Sequence, residues 1–351
     1  MLSTRQLMET LISFKPVTSD IKAVNSAVQF LDQYLTENGV FTAVENLGER
    51  KILYASTGTG KSPRILLNAH LDVVPADDAF FSVTEDGDWL CGRGTHDCLG
   101  NSAMLANLLI KLNQKADIGV VFSSDEETGG VTTKTMVEHG YRGRELVVIV
   151  DGSGYSLVIA QKGVLSVTLQ AGGQSCHAAR PWEGDNPIDK LIEGYLKIRG
   201  LFPAVNPPDE WHDTMAATTI QAGSVHNKVP DQAVMSLNIR TTEKTDQSEL
   251  LESIGEISGL DVKVEMQCPP VSCNPEQPAL DALRKHMQKF LARDIDIKRS
   301  NGATDARHFI EGGAPIAIIG VPGRDIHGDK EAVSASGLEE YEAMLLKFMQ
   351  P

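Results

Sequence analysis

The chain has 351 residues, long enough that two cores are expected rather than one. It is 41% hydrophobic, and 32 basic against 47 acidic residues leave a net charge of −15, with a pI near 5.0. That balance argues against nucleic acid or an anionic membrane as partner, and no apolar run approaches the roughly 18 residues of a membrane span.

The chain opens with "MLSTRQLMETLISF", whose apolar residues are interleaved with Arg5, Gln6 and Glu9. That pattern is unlike a signal peptide, and Ser3 followed by Gln6 predicts a capping box for a first helix. Residues 21–37 have helical spacing (Val24, Val28, Leu31, Leu35), with Gly39 just beyond as a stop. Strands follow near 42–44, 52–55 and 65–68, then a helix over about 101–111 and the strands "IGVVFSS" and "ELVVIVDG". Buried strands alternating with helices predict an α/β sheet covered on both faces. From Gly163 the pattern changes: "VLSVTLQAG", "MAATTIQAG", "AVMSLNIRTT" and "LDVKVEMQ" alternate as half-exposed strands. With amphipathic helices at "NPIDKLIEGYLKIRGLF" and "DQSELLESIGEI", they predict a ferredoxin-like β-α-β-β-α-β unit. A helix near 280–291, the strand "PIAIIGV" and a helix from Leu338 complete the chain. The second unit, 163–267, therefore reads as an insertion in an α/β domain of 1–162 and 268–351. No internal repeat is evident. The five cysteines are odd in number and lack paired ligand spacing, and read as free thiols of a reducing cytoplasm.

In α/β sheets ligands sit beyond the carboxyl ends of the strands. His70, Asp125 to Glu127 and Asp151 fall at such ends. "SSDEETGG" sets three consecutive carboxylates beside a buried strand end, which is costly unless a cation is present. Of two adjacent glutamates, one can ligate a metal while the other takes a proton from water. Nitrogen and oxygen donors without cysteine suit zinc, with cobalt or manganese as alternatives. Each position also has a plain structural explanation. His70 could be a satisfied buried histidine, and Asp97, in "CGRGTHDCLGN", a helix N-cap. Glu126 and Glu127 could form a solvated face, Asp151 an Asp-Gly turn, and His327 an exposed loop residue. The "GRG" lacks the Gly-Lys-Ser/Thr ending of a phosphate loop and is better explained by close backbone approach around Asp97.

Taken in order, HLDVVP, GRGTHDCLG, DEETGG, a strand-end Asp, SCHAA and a late loop His resemble the dinuclear zinc amidohydrolases. That family includes acetylornithine deacetylase, succinyl-diaminopimelate desuccinylase, glutamate carboxypeptidase, aminotripeptidase and carnosine dipeptidase. The resemblance spans essentially the whole chain. It implies a zinc-peptidase-like catalytic domain, a mixed sheet flanked by helices, with an inserted lid used for homodimerisation. It implies two zinc ions per chain, one held by His70, Asp97 and Asp151, the other by Asp97, Glu127 and His327, with Asp97 bridging. Asp72 would orient His70, and Glu126 would be the general base. His177 would reach the substrate of the partner subunit, and Asn227, Arg240, Thr304 and Arg307 would contact substrate. A cis peptide is implied at Asp97–Cys98. Two positions depart from the family pattern. Asp97-Cys98-Leu99-Gly100 replaces the frequent Asp-Met-Lys-Gly. Asp151-Gly152 stands where deacylases usually have Glu-Pro, and looks more like the aminopeptidase and dipeptidase branches.

The resulting expectation is hydrolysis of an amide bond in a small peptide, through a metal-bridging water deprotonated by Glu126. The alternative is an N-acyl amino acid deacetylase of the acetylornithine type. A third possibility is a non-catalytic binding protein on the same scaffold.

Overall fold

The computed structural model describes residues 1–152, 154–204 and 210–350. The first helix, Thr4–Ser13, begins with both arms of its capping box formed between Ser3 and Gln6. The next, Ile21–Glu37, buries Val24, Val28, Leu31 and Leu35 along one stripe, as its spacing requires.

The chain divides into two compact units. One comprises Met1–Ile159, Cys273–Lys298 and Thr304–Pro351, and the other Ala160–Ser272 with Arg299–Ala303.

The first unit is built on a mixed sheet flanked by helices. Its strands run in the order Phe41–Leu47, Arg50–Ser56, Ile118–Ser123, Ile65–His70, Leu146–Val150, Ile316–Ile319 and Ser156–Gln161. The four strands from Ile118–Ser123 to Ile316–Ile319 are mutually parallel, and those outside them pair antiparallel. All four parallel strands are buried along their whole length, which is why they read as continuous apolar runs. The helix Leu99–Leu112 is buried on nearly every side, Asn101, Ser102 and Asn107 included, and packs against Ile65–His70, Thr4–Ser13 and the last helix, Ala335–Met349. Its first turn, with Asp97 just before it, lies at the carboxyl edge of the sheet, where the Ser102 hydroxyl donates to the His70 carbonyl at 2.7 Å.

The structure departs from the sequence reading in detail. The strand Ser156–Gln161 has no counterpart among the elements expected from the sequence, and the last helix starts at Ala335, capped by Ser334, rather than at Leu338. In the second unit the elements follow in the order β-α-β-β-α-β over Gly163–Cys268. The antiparallel sheet has the strand order Thr214–Ala222, Gln232–Thr241, Gly163–Gly172, Asp261–Cys268. Leu191 and Ile198 of one helix and Ile254 of the other pack with Leu165, Val167, Leu169 and Leu237 of the sheet to form a separate core.

Candidate metal centre

Three adjacent parallel strands deliver four acidic or imidazole side chains to one edge. Neighbouring strands lie about 4.8 Å apart, so the residues that leave them start close together. His70 ends one strand, Glu126 and Glu127 form a short 3-10 turn after the second, and Asp151 follows the third. Asp97 arrives from the loop before Leu99–Leu112, and His327 from the loop after Ile316–Ile319.

Asp97 lies between the two imidazoles. One carboxylate oxygen is 2.8 Å from His70 Nε2 and the other 3.0 Å from His327 Nε2. Glu127 Oε2 is also 3.0 Å from His327 Nε2, and Asp151 Oδ1 is 3.8 Å from His70 Nε2. Asp97 does not cap the helix. The capping position is Cys98, reached through a cis peptide bond from Asp97.

Asp72 sits beneath this group and is fully buried. Its carboxylate accepts the backbone N–H groups of Glu126 (3.1 Å) and Glu127 (3.3 Å) and the Thr18 hydroxyl (2.8 Å). His70 Nδ1 is 2.8 Å from the Asp72 backbone carbonyl and 3.6 Å from its carboxylate. The carbonyl therefore sets the His70 ring, and the carboxylate sets the Glu126–Glu127 turn. Asp125 faces away from the site and accepts the Thr132 N–H at 3.0 Å.

The charges follow this crowding. Burial would lower the His70 imidazole, but Cys98 and the carboxylates of Asp151, Asp72 and Asp97 hold it well above its usual value. Contacts with Asp97 and Glu127 push His327 up to about 10. Burial would raise Asp97, but the two histidines hold it well below the carboxylate range. Burial pushes Asp151 up to about 7. Burial, then the charge of Asp151, raises Glu126 well above the ordinary range, and His70 and Arg307 only partly oppose this.

The donor set fits a divalent metal. His70, Asp97 and Glu127 each offer an atom within 4.8 Å of the others, as do His70, Cys98 and Asp151. Glu127 Oε1 is buried without a hydrogen-bond partner, an acceptor that a cation would satisfy. Imidazole nitrogen with carboxylate oxygen is the donor chemistry of zinc and its neighbours. Cys98, read from the sequence only as a free thiol, is buried here. Its Sγ donates to the Val150 carbonyl at 3.2 Å, and burial pushes it up to about 11, so it stays protonated at neutral pH.

Two residues outside the sequence expectations brace the site. Arg93 and Glu331 form a buried ion pair at 2.6 Å, 3% and 2% exposed. Glu331 accepts the N–H groups of His96 and Asp97, each at 3.1 Å, while Arg93 donates to the carbonyls of His327 (3.0 Å) and Gly328 (3.3 Å). The only sequence signal for Arg93 is its place between Gly92 and Gly94 in a loop already singled out. Gly100 is needed in the same loop, because a side chain there would collide with the Thr95 carbonyl. At the Asp151 departure, the Gly152 N–H donates to the Ile319 carbonyl at 2.9 Å, a bond proline could not make.

The remaining candidates fall in two places. Thr304 caps the short turn Asp305–His308 in the first unit, its hydroxyl accepting the Ala306 N–H at 3.2 Å, and Arg307 is buried in that turn. His177, Asn227 and Arg240 belong to the second unit. His177 pairs with Lys228 across two short strands, and the Ala178 N–H donates to the Asn227 carbonyl at 3.0 Å, so His177 and Asn227 are neighbours. Arg240 lies on the strand Gln232–Thr241, with its Nε donating to Asn238 at 3.0 Å.

The sequence pattern of Peptidase family M20/M25/M40 matches residues 66–350, and the chain belongs to that family of metal-dependent hydrolases. A probable succinyl-diaminopimelate desuccinylase of Staphylococcus aureus is 25% identical over 94% of this chain and 91% of its own length. Among solved structures, an M20 family metallo-carboxypeptidase of Sulfolobus solfataricus superposes with a TM-score of 0.83, at 15% identity and 99% coverage of both chains. Aminopeptidase PepT of Bacillus cereus superposes at 0.77, with 17% identity over 99% of this chain and 98% of that one. These likenesses agree with the mixed α/β architecture of the first unit.

Proposed function

We propose that this metallohydrolase cleaves an amide bond in a small peptide, in the manner of a dipeptidase or aminopeptidase. The observation that carries the reading is the placement of Asp97, with one oxygen toward His70 and the other toward His327. A carboxylate so shared suits two cations side by side. His70, Asp97 and Asp151 would hold one, and Asp97, Glu127 and His327 the other. Zinc is the metal we infer, with cobalt and manganese compatible with the same donors. When bound, such a metal supplies Lewis acidity toward the scissile carbonyl and toward water.

The remaining work falls to the chain. Glu126 takes the proton from the attacking water and delivers it to the leaving nitrogen, and its raised pKa suits a group that must both accept and return a proton. Asp72 holds the turn that carries Glu126 and Glu127. We assign His177 to the developing oxyanion, and Asn227, Arg240, Thr304 and Arg307 to substrate contacts. The second unit would serve as lid and homodimerisation domain, with His177 acting on the partner subunit's substrate. A cytoplasmic location accords with the five cysteines, all free.

A second reading, N-acyl amino acid deacylation of the acetylornithine deacetylase type, is favoured by the desuccinylase relative. The two separate in one experiment: kcat/KM for dipeptides, their N-acetyl forms, N-acetyl-ornithine and N-succinyl-diaminopimelate, under one metal condition. Faster cleavage of free dipeptides supports the peptidase reading. Preference for N-acyl amino acids across the panel replaces it with the deacylase.

A further inference from the structure

We infer that the Arg93–Glu331 ion pair is the positioning element that sets the spacing of Asp97 and His327, and so governs the metal position those two residues share with Glu127. The inference rests on the reading of these residues as a metal-holding set and assigns to it two residues that do not themselves contribute donors.

The argument is geometric. Asp97 and His327 come from loops far apart in the sequence, whose bases meet where Trp89–Cys91 pairs with Ala332–Ser334 and that strand with Gly323–Arg324. Beyond that short ladder the ion pair ties the two loops together. Glu331 grips the first loop from below through the N–H groups of His96 and Asp97. Arg93 grips the second through the carbonyls of His327 and Gly328. The 2.6 Å contact between Arg93 and Glu331 closes the connection. Both side chains are buried, so neither is a surface charge that merely met a neighbour. An uncompensated charge would be costly at that depth, which makes the pair hard to dissolve and its geometry hard to shift.

The His327 backbone gives an independent indication. Its φ is 62°, in the left-handed region that few non-glycine residues occupy. The loop's own bonds, from the Gly328 N–H to the Asp325 carbonyl at 2.8 Å and from the Lys330 N–H to the Asp325 carboxylate at 2.7 Å, are anchored on Asp325, which shares the unusual conformation (φ 54°), while His327 itself is half exposed. The Arg93 bond to the His327 carbonyl is a restraint from the interior that fixes this backbone, and with it the ring. By contrast, His70 and Asp151 are set by strand ends, and their described bonds do not include the pair. The Arg93–Glu331 brace therefore bears on two ligands, Asp97 and His327, of one metal position, and on the other only through the shared Asp97.

The test is a titration of metal-free protein with Co2+, followed by the visible absorption of the bound ion and by calorimetry. Glu331→Gln keeps the shape and removes the charge. Arg93→Lys keeps the charge but loses the fork that reaches Glu331 and both carbonyls together. Wild-type protein should bind two Co2+ ions. In both variants one binding event should weaken ~10–100-fold, the usual range for lost outer-shell support, with a changed Co2+ spectrum, while the other, reached only through Asp97, should weaken clearly less. Thermal melting of the metal-free variants reports whether they fold. If Glu331→Gln does not fold, Arg93→Lys carries the test. Two unchanged events in a folded variant, or equal weakening of both, overturn the inference and leave the reading of the centre intact. A wild-type chain that binds no Co2+ overturns both.

Discussion

The Asp72 carboxylate accepts the backbone N–H of Glu126 at 3.1 Å, with its second oxygen on the N–H of Glu127. One buried side chain thus fixes the direction of the proposed base and of a proposed ligand together. Asp72→Asn would turn an amide NH2 toward groups that are all donors: two N–H groups and the Thr18 hydroxyl. Activity should fall ~10–100-fold, with weaker metal binding, as expected for lost outer-shell support. Steady-state rates and metal titration of the variant check this, and wild-type values for both would remove Asp72 from the machinery.

Glu126→Gln preserves shape and removes the proton acceptor. Activity should drop at least ~10²-fold, the usual contribution of a general base. Metal content should stay at the wild-type level, because the carboxylate offered to His327 belongs to Glu127. A variant that retains activity with full metal content would exclude Glu126 as base.

Metal analysis of zinc-reconstituted protein should give two ions per chain. Binding only to the folded state stabilises it, by about 2.7 kcal/mol at a free concentration 100 times Kd. Chelation should therefore lower Tm as well as activity. Saturation at a single ion, however much zinc is supplied, would mean that Asp97 does not bridge.

Without metal, stability should fall as pH rises. His327 is raised from 6.5 to about 10, so its ion pairs stabilise fully below 6.5 and are lost as pH climbs through about 10. Asp151 is raised from 3.8 to about 7, so folding opposes its ionisation, and stability declines from about pH 4 through about 7. The two act in the same direction, although the exposure of His327 keeps its share modest. Tm of the metal-free protein should thus decrease between about pH 6 and about pH 10. Metal binding should tighten over the same interval, because protons compete for the histidines. A metal-free Tm that increases with pH would contradict these assignments.

If His177 acts across subunits, an inactive His177→Ala chain and an inactive Glu126→Gln chain should regain activity when dissociated and mixed. The mixed dimer would hold one site with both groups intact. Inactive mixtures despite verified subunit exchange would show that no site is shared.

His70, Glu127 and Asp151 were legible as residues leaving apolar strands, but their gathering with Asp97 and His327 into one ligand set was implied only by the family resemblance. The carboxylate run at Asp125 to Glu127 misled in one respect: Asp125 serves Thr132 instead of the site. Arg93 and Glu331 were not legible. They are 238 positions apart, and neither an arginine among glycines nor a glutamate in "HGDKEAV" carries a periodic signal. Their partners are mostly backbone groups, which leave no trace in residue types. The strand Ser156–Gln161 was missed for a related reason. It follows "DGSGY", where the turn signal hid a short apolar run.

The strand Ile316–Ile319 lies between Leu146–Val150 and Ser156–Gln161, its neighbours in the sheet but separated from it by more than a hundred residues of later synthesis. A growing chain makes both neighbours early and must wait for the strand that joins them. The segment that fills the gap also brings His327. A ribosome-bound or truncated chain therefore exposes an open slot in its sheet and lacks one imidazole of the centre. If His327 is a ligand as proposed, hydrolytic competence would be withheld until synthesis has passed the C-terminal strand.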